Sequence, residues 1–276
     1  MVGYANVRVS AGYNFLVNPF ITGSNNINAV LSSGSSLLNG AQVWLWNGTN
    51  QSFEAPATYS QGVGWNPDIQ LPPGRGFVLA ITAPLPQFPI VMFQGVIPMG
   101  ELSNLILGSN RLSLVGSLVP QSTSLAGLEY PGVDGELAYL WNPTNQAFID
   151  ASTFFSGYGW SGAAGSSGPI LPIAHAVFVQ RPGPDTNWTR RFFISMARTA
   201  GASSRTDSEL AITSIVIEKS DIKLLVMVPA GAAYDLWFSR DGTTWKSVAT
   251  KQASPVWRGT YPGGTHGYYR AVKSAR

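Results

Sequence analysis

Hydrophobic residues in this chain fall into short β-branched or aromatic runs bounded by Gly, Pro and Asn. Asn6–Ser10 alternates, and Asn14–Val17, Gln42–Trp46, Gly76–Ile81 and Ile90–Gly95 follow it. Runs of this kind predict strands. Beyond residue 200, Ala211–Glu218, Lys223–Val228 and Gly267–Lys273 read as strands. Tyr234–Ser239, Asp241-Gly242 and Thr244–Ala249 read as a hairpin. Trp46-Asn47-Gly48-Thr49 holds Asn-Gly, a strong short hairpin signal. The matching Asn142-Pro143 predicts a turn of different geometry.

The pattern repeats. Leu45-Trp46-Asn47, Thr49-Asn50-Gln51 and Phe53 return as Leu140-Trp141-Asn142, Thr144-Asn145-Gln146 and Phe148, seven identities at one offset of 95. Tyr59, Gly62, Gly64 and Trp65 return as Phe154, Gly157, Gly159 and Trp160. Leu71-Pro72 matches Leu171-Pro172 after an inserted stretch, Ser161–Gly168, and upstream Leu16-Val17 matches Leu114-Val115 at offset 98. Two related β units are therefore expected at residues 1–100 and 101–200. The twice-occurring Trp of the Trp-Asn block is most simply a core anchor beside its turn. A period this long suits two tandem β domains or two halves of one sandwich.

Composition narrows the class. Gly (30) and Pro (19) are abundant, and charged residues are 11% of 276. Gly and Pro cost about 1 and 3 kcal/mol in helix interiors, which argues against a helical bundle. Nine Trp, ten Tyr and thirteen Phe argue against disorder. The expected fold class is all-β: two related β-sandwich or barrel-like repeats plus a small sandwich. Residues 1–200 carry seven Arg, no Lys and eight acids, whereas 201–276 carry ten Lys and Arg against six acids. This shift, with Gly201-Ala202-Ser203-Ser204 as a linker, marks a third module at 207–276, expected to stay apart from the other sheets. That module is a small sandwich, or an incomplete one that leans on its neighbour. Its scattered charges read as a solvated face rather than a nucleic-acid surface. Without Cys there is no disulfide and no thiolate chemistry. No apolar window is long enough for a membrane helix. Met1–Tyr4 runs into a strand-like segment with no leader, so an exported protein of this kind implies a further segment upstream.

Gly12–Pro19, Trp46-Asn47, Tyr59–Trp65 and Pro73–Phe77 resemble repeats of large exported bacterial proteins, in which an aromatic strand, a Trp-Asn hairpin, a Tyr-x-x-Gly-x-Trp turn and a Pro-Gly-x-Gly-Phe strand follow one another. The second unit departs at Gly116-Ser117 and Ala174-His175-Ala176. The tail, with Tyr234-Asp235-Leu236, Ser239, Asp241 and Trp245, resembles the fibronectin-III-like modules that close such proteins. The resemblance implies β architecture and an extracellular or cell-surface location, and it brings no catalytic residues.

Chemical motifs are sparse. His175 and His266 are the only histidines, too few for a histidine metal site. His175 reads as a solvent-side position and His266 as a loop tip. No nucleophile elbow or phosphate-cradling glycine motif is present. Ser32–Ser36 reads as a loop. Glu54, Asp68, Glu101, Glu129, Asp134, Glu136, Asp150 and Asp185 could supply the carboxylate pair of a glycosidase, but they read as turn and surface groups. No cofactor or metal is expected. The remaining signal is aromatic: Tyr59 with Trp65, and Tyr158 with Trp160, stand in glycine-containing turns. As a flat platform they would bind neutral carbohydrate; the other reading is a Trp folded back to plug a sandwich end. The expected function is a non-catalytic extracellular β protein for adhesion, glycan contact or assembly. Its partners would be neutral carbohydrate or other surface proteins, with self-association possible. The alternative is a glycan- or ester-cleaving hydrolase with its site between the repeats.

Overall fold

The structure, a computed structural model, describes residues 1–31, 38–82, 90–193, 211–218, 221–228, 232–260, 262 and 264–274. The expected loop Ser32–Ser36 and linker Gly201–Ser204 lie outside these residues. The fold is all-β, several antiparallel sheets in a sandwich-like arrangement, with a one-turn helix.

The first hundred residues form β1 (Val2–Arg8), β2 (Gly12–Val17), α1 (Ile27–Val30), β3 (Gln42–Asn47), β4 (Ser52–Phe53), β5 (Ala57–Ser60), β6 (Gly64–Asn66), β7 (Gly76–Ile81) and β8 (Ile90–Val96). The second hundred form β9 (Gly100–Ile106), β10 (Arg111–Val115), β11 (Thr123–Ser124), β12 (Leu137–Asn142), β13 (Ala147–Phe148), β14 (Ser152–Phe155), β15 (Gly159–Trp160), β16 (Ile170–Leu171), β17 (Val177–Arg181) and β18 (Thr186–Phe192). One sheet runs β2-β7-β3-β5-β6 with β4 on β3; the other runs β10-β17-β12-β14-β15 with β13 on β12. Trp46 faces Phe53 across its hairpin as Trp141 faces Phe148. Leu16 pairs with Phe77 and Val115 with Val177, so β2 and β10 correspond at a shift of 99, one residue beyond the shift read from Leu16-Val17. In both halves a first strand pairs with a last one, β1 with β8 and β9 with β18.

The Trp-Asn block is what joins the halves. The Trp46 indole N–H donates to the Leu112 carbonyl (2.9 Å), and that of Trp141 to the Tyr13 carbonyl (2.7 Å). Gln51 brackets Leu112, accepting from its N–H and donating to its carbonyl, and Gln146 does the same to Tyr13. Leu16 bridges His175 as Val115 bridges Arg75. Each contact occurs twice with the halves exchanged, the signature of a two-fold-like interface. Between the sheets, Phe15, Val78, Leu114, Ala176 and Phe178 are buried, with Trp46 and Trp141 partly buried against them.

The hairpins differ from expectation. Asn47 and Ser52 close a four-residue loop in which Asn47 Oδ1 accepts from the N–H groups of Thr49 and Asn50, and Gln51 takes φ 52°. Asn142 and Gln146 reproduce this, Gln146 also at φ 52°. The left-handed residue is the Gln, not Gly48, so Pro143 fits the same turn and the two geometries are alike.

The tail forms β19 (Ala211–Glu218), β20 (Asp221–Met227), β21 (Tyr234–Ser239), β22 (Lys246–Gln252), β23 (Val256–Thr260) and β24 (His266–Lys273). One sheet is β19-β20-β23 and the other is β22-β21-β24-β1-β8. The expectation that tail strands stay apart from the other sheets is therefore corrected: β24 pairs with β1 from Val2↔Tyr269 to Ala5↔His266. The reason is that β1 is apolar on both faces. Val2 and Tyr4 are in the tail core with Ile222, Leu224, Tyr234 and Leu236. Ala5, Val7 and Val9 are in the core of the first half with Phe20, Phe77 and Phe93.

Candidate functional site

Three of the four aromatic side chains expected to make a contact surface lie in the cores. Trp65 is 3%, Tyr59 7% and Trp160 1% exposed. Trp65 packs on Tyr59 and its indole N–H points to the Leu31 carbonyl (3.3 Å). Trp160 packs on Phe154 and Tyr130, and the inserted stretch covers it: a Cβ on Gly168 would meet the indole at 2.5 Å. A ring without an exposed face cannot stack on a ligand, so these three are plugs. Tyr158, at 64% exposed, remains on the surface.

Most of the repeat carboxylates have local structural partners. Asp68 accepts from Asn26 and from the Asn28 N–H beside α1. Asp134 accepts from the Ser156 N–H. Glu54 lies 3.8 Å from Arg75, Glu101 2.7 Å from Arg191, and Glu129 3.5 Å from Arg190. Asp185 accepts from the Gly108 N–H and pairs with Arg111, which together hold its carboxyl below the usual range. Glu136 is fully buried, with Arg181 at 3.0 Å, the Tyr130 hydroxyl at 2.5 Å and the Val133 N–H at 3.0 Å. Burial raises its pKa, and these donors oppose the rise. Between the halves, where the alternative hydrolase reading would put its site, lies the buried Phe15–Phe178 cluster.

Both histidines line one cleft of about 310 Å³ between β1, the Pro172–His175 loop and the start of β24. His175 is thus at a junction rather than on the solvent side. Its Nδ1 lies 3.1 Å from the Ile173 carbonyl, and burial lowers its pKa despite that bond. Burial lowers His266 as well.

A second cleft, of about 380 Å³, gathers recognition groups from the second half and the tail. Phe192 and Phe193 at the end of β18, Trp245 before β22 and Tyr268 on β24 give it aromatic walls. Tyr268 is fixed there because its hydroxyl donates to the Pro120 carbonyl. Asp241 sits in the turn after β21, where its Oδ1 accepts from the N–H groups of Thr243 (2.8 Å) and Thr244 (2.6 Å) and from the Ser239 hydroxyl (2.8 Å). These donors hold the carboxyl far below the ordinary range, so it is an anion at any physiological pH. Arg270 lies with its guanidinium 4.1 Å from the Trp245 ring centroid, and its buried Nε has no hydrogen-bond partner among the described residues. The Gln121 side chain also lines the cleft, its Oε1 3.4 Å from the Arg190 guanidinium. Aromatic faces beside one cation, one anion and an amide can stack on a ring and hydrogen-bond its substituents. In the sequence, Asp241 and Trp245 stood out only as tail residues. Arg270, Gln121 and the two Phe gave no signal, because they come from three segments spread over about 150 residues.

Among the described residues no three His, Asp or Glu side chains are grouped to hold a metal ion, and no helix is long and apolar enough to cross a membrane. No family model matches this chain, and no curated protein is similar to it.

Proposed function

We propose that the protein is a non-catalytic β protein of the cell exterior that makes adhesive or assembly contacts through glycan recognition. The observation that carries this reading is the aromatic cleft of Trp245, Tyr268, Phe192 and Phe193, with Asp241, Gln121 and Arg270 at its polar side. Aromatic faces next to fixed hydrogen-bonding groups suit a sugar, whose C–H face stacks while its hydroxyls bond. The shared strand order supports reading residues 1–100 and 101–200 as two copies of one exported-protein repeat. The tail sheet β19-β20-β23 against β22-β21-β24-β1 supports a fibronectin-III-like sandwich of three strands against four. An exterior location agrees with the low charge and rests on the resemblance.

The test is a glycan array probed with the full chain, followed by titration of the best glycan. The Trp245→Ala variant is expected to stay folded and lose about 2 kcal/mol or more of binding, with a modest fall in melting temperature because Trp245 is partly buried against the core of the first half. Binding that survives Trp245→Ala would move the contact elsewhere. A chain that binds no glycan but turns over a hydrolase substrate would reverse the reading.

A further inference from the structure

We propose that the cleft takes a uronic acid residue of a glycan, with the sugar carboxylate on Arg270, its hydroxyls on Asp241 and its ring against the aromatic walls. This deepens the glycan-contact reading and rests on it. The first ground is the state of Arg270. It takes part in none of the ion pairs among the described residues, although Asp241 lines the same cleft. Its guanidinium stands over two ring faces, 4.1 Å from the Trp245 centroid and 5.8 Å from that of Trp237. Its Nε is buried without an acceptor among the described residues. A partly buried guanidinium in that state gains most from a planar carboxylate, which its fork can bind through two parallel hydrogen bonds.

The second ground is Asp241, which narrows the ligand. A purely anionic ligand would meet this fixed carboxylate and be repelled. A purely neutral sugar could add hydroxyl bonds to Asp241 but would leave the Arg270 cation unmatched. A sugar acid carries both complements on one ring. A cleft of about 380 Å³ is near the lower end of small-molecule sites and suits one or two rings.

The experiment is calorimetric titration of the full chain with trigalacturonate, with its methyl ester, and with a neutral trisaccharide. The acid is expected to bind at least about tenfold tighter than the ester, a difference of about 1.4 kcal/mol. That preference should shrink as salt is raised. Arg270→Gln should bring the acid-to-ester affinity ratio to about one, whatever it does to the affinity for the ester itself. Arg270→Lys, which keeps the charge and loses the fork, should retain part of it and serves if the Gln variant melts early. Equal affinity for acid and ester, both abolished by Trp245→Ala, overturns the uronate assignment and leaves glycan contact standing. An acid preference untouched by both Arg270 variants overturns the role of Arg270. No binding of any probe by a folded wild-type chain, together with a blank array, overturns both.

Discussion

The first and second hundred residues share a strand order and a reciprocal clasp, yet they solve the same positions with different chemistry. At a shift of 95 for β3 and β12, and of 100 for β7 and β17, Ala41 and Ile81 of the first half correspond to Glu136 and Arg181 of the second. The first pair is apolar and buried; the second is a buried ion pair with Tyr130 as a third partner. At the shift of 99, Val2 and Tyr4 on β1 correspond to Glu101 and Ser103 on β9. Val2 and Tyr4 are covered by the tail, whereas Glu101 and Ser103 face solvent. Backbone pairing and the clasp thus specify the topology, and a few side chains decide what each half buries and what docks on it.

Breaking the Glu136–Arg181 pair is the sharpest test of that difference. Arg181→Ala leaves a buried carboxylate uncompensated and is expected to cost about 3–5 kcal/mol, read by urea denaturation. Installing the pair of the first half, Glu136→Ala with Arg181→Ile, should recover most of the loss. A double variant no more stable than the single one would mean that the two halves are not interchangeable at this site.

The docking difference gives a comparable effect. Tyr4→Ala empties a fully buried site in the tail core and is expected to cost about 3–5 kcal/mol, as aromatic truncations do. Hydrogen exchange should then rise in β24 and β20. The corresponding Ser103→Ala should change stability by less than about 0.5 kcal/mol. Equal effects at the two positions would remove the case that β1 belongs to the tail core.

A smaller contrast lies at Gly74 and Ala174, which share the left-handed conformation at φ 85° and 63°. A Cβ on Gly74 would meet Asn104 Oδ1 at 2.3 Å, whereas Ala174 has Ala5, the counterpart of Asn104, within its own core. Gly74→Ala is expected to cost about 2 kcal/mol from backbone strain and overlap. Ala174→Gly should stay within about 1 kcal/mol of wild type, strain relief being offset by a looser unfolded chain.

The smallest effect is a pH dependence. His175 and His266 have folded pKa values below the ordinary 6.5, so below that pH the unfolded chain binds more protons than the folded one. Their contribution is full above about pH 6.5 and is lost as pH falls through the lowered folded values. Melting temperature should fall between pH 7 and 5. The His175→Gln, His266→Gln double variant should flatten that slope, and an unchanged slope would assign it to other groups.

Much of the strand pattern was legible in the sequence, because a short apolar run between turn residues has few other uses. Gly76–Ile81, Ala211–Glu218 and Tyr234–Ser239 have the bounds read from it. The first half of β1 and all of β23 escaped. Val2–Ala5 carries no alternation because both of its faces are buried, and Val256–Thr260 has no buried position, only partly buried and exposed ones. The candidate site was far less legible. Tyr59, Trp65 and Trp160 drew notice because they recur, but recurrence marked packing. The cleft of Trp245 and Arg270 is used once, so no repeat could reveal it.

The sequence by itself determined the all-β class, the two Trp-Asn blocks at one spacing, and a compositionally distinct tail. These are properties of local periodicity, turn residues and residue identities at fixed spacing. Only the tertiary structure decided that the Trp-Asn block reaches into the other half, that β1 completes the tail sheet, and that Arg270 stands in a cleft without a carboxylate partner among the described residues. Each depends on a long-range meeting of side chains, such as Trp141 with Tyr13 or Val2 with Tyr269. A one-dimensional pattern shows which faces must be covered, and the packed chain selects what covers them.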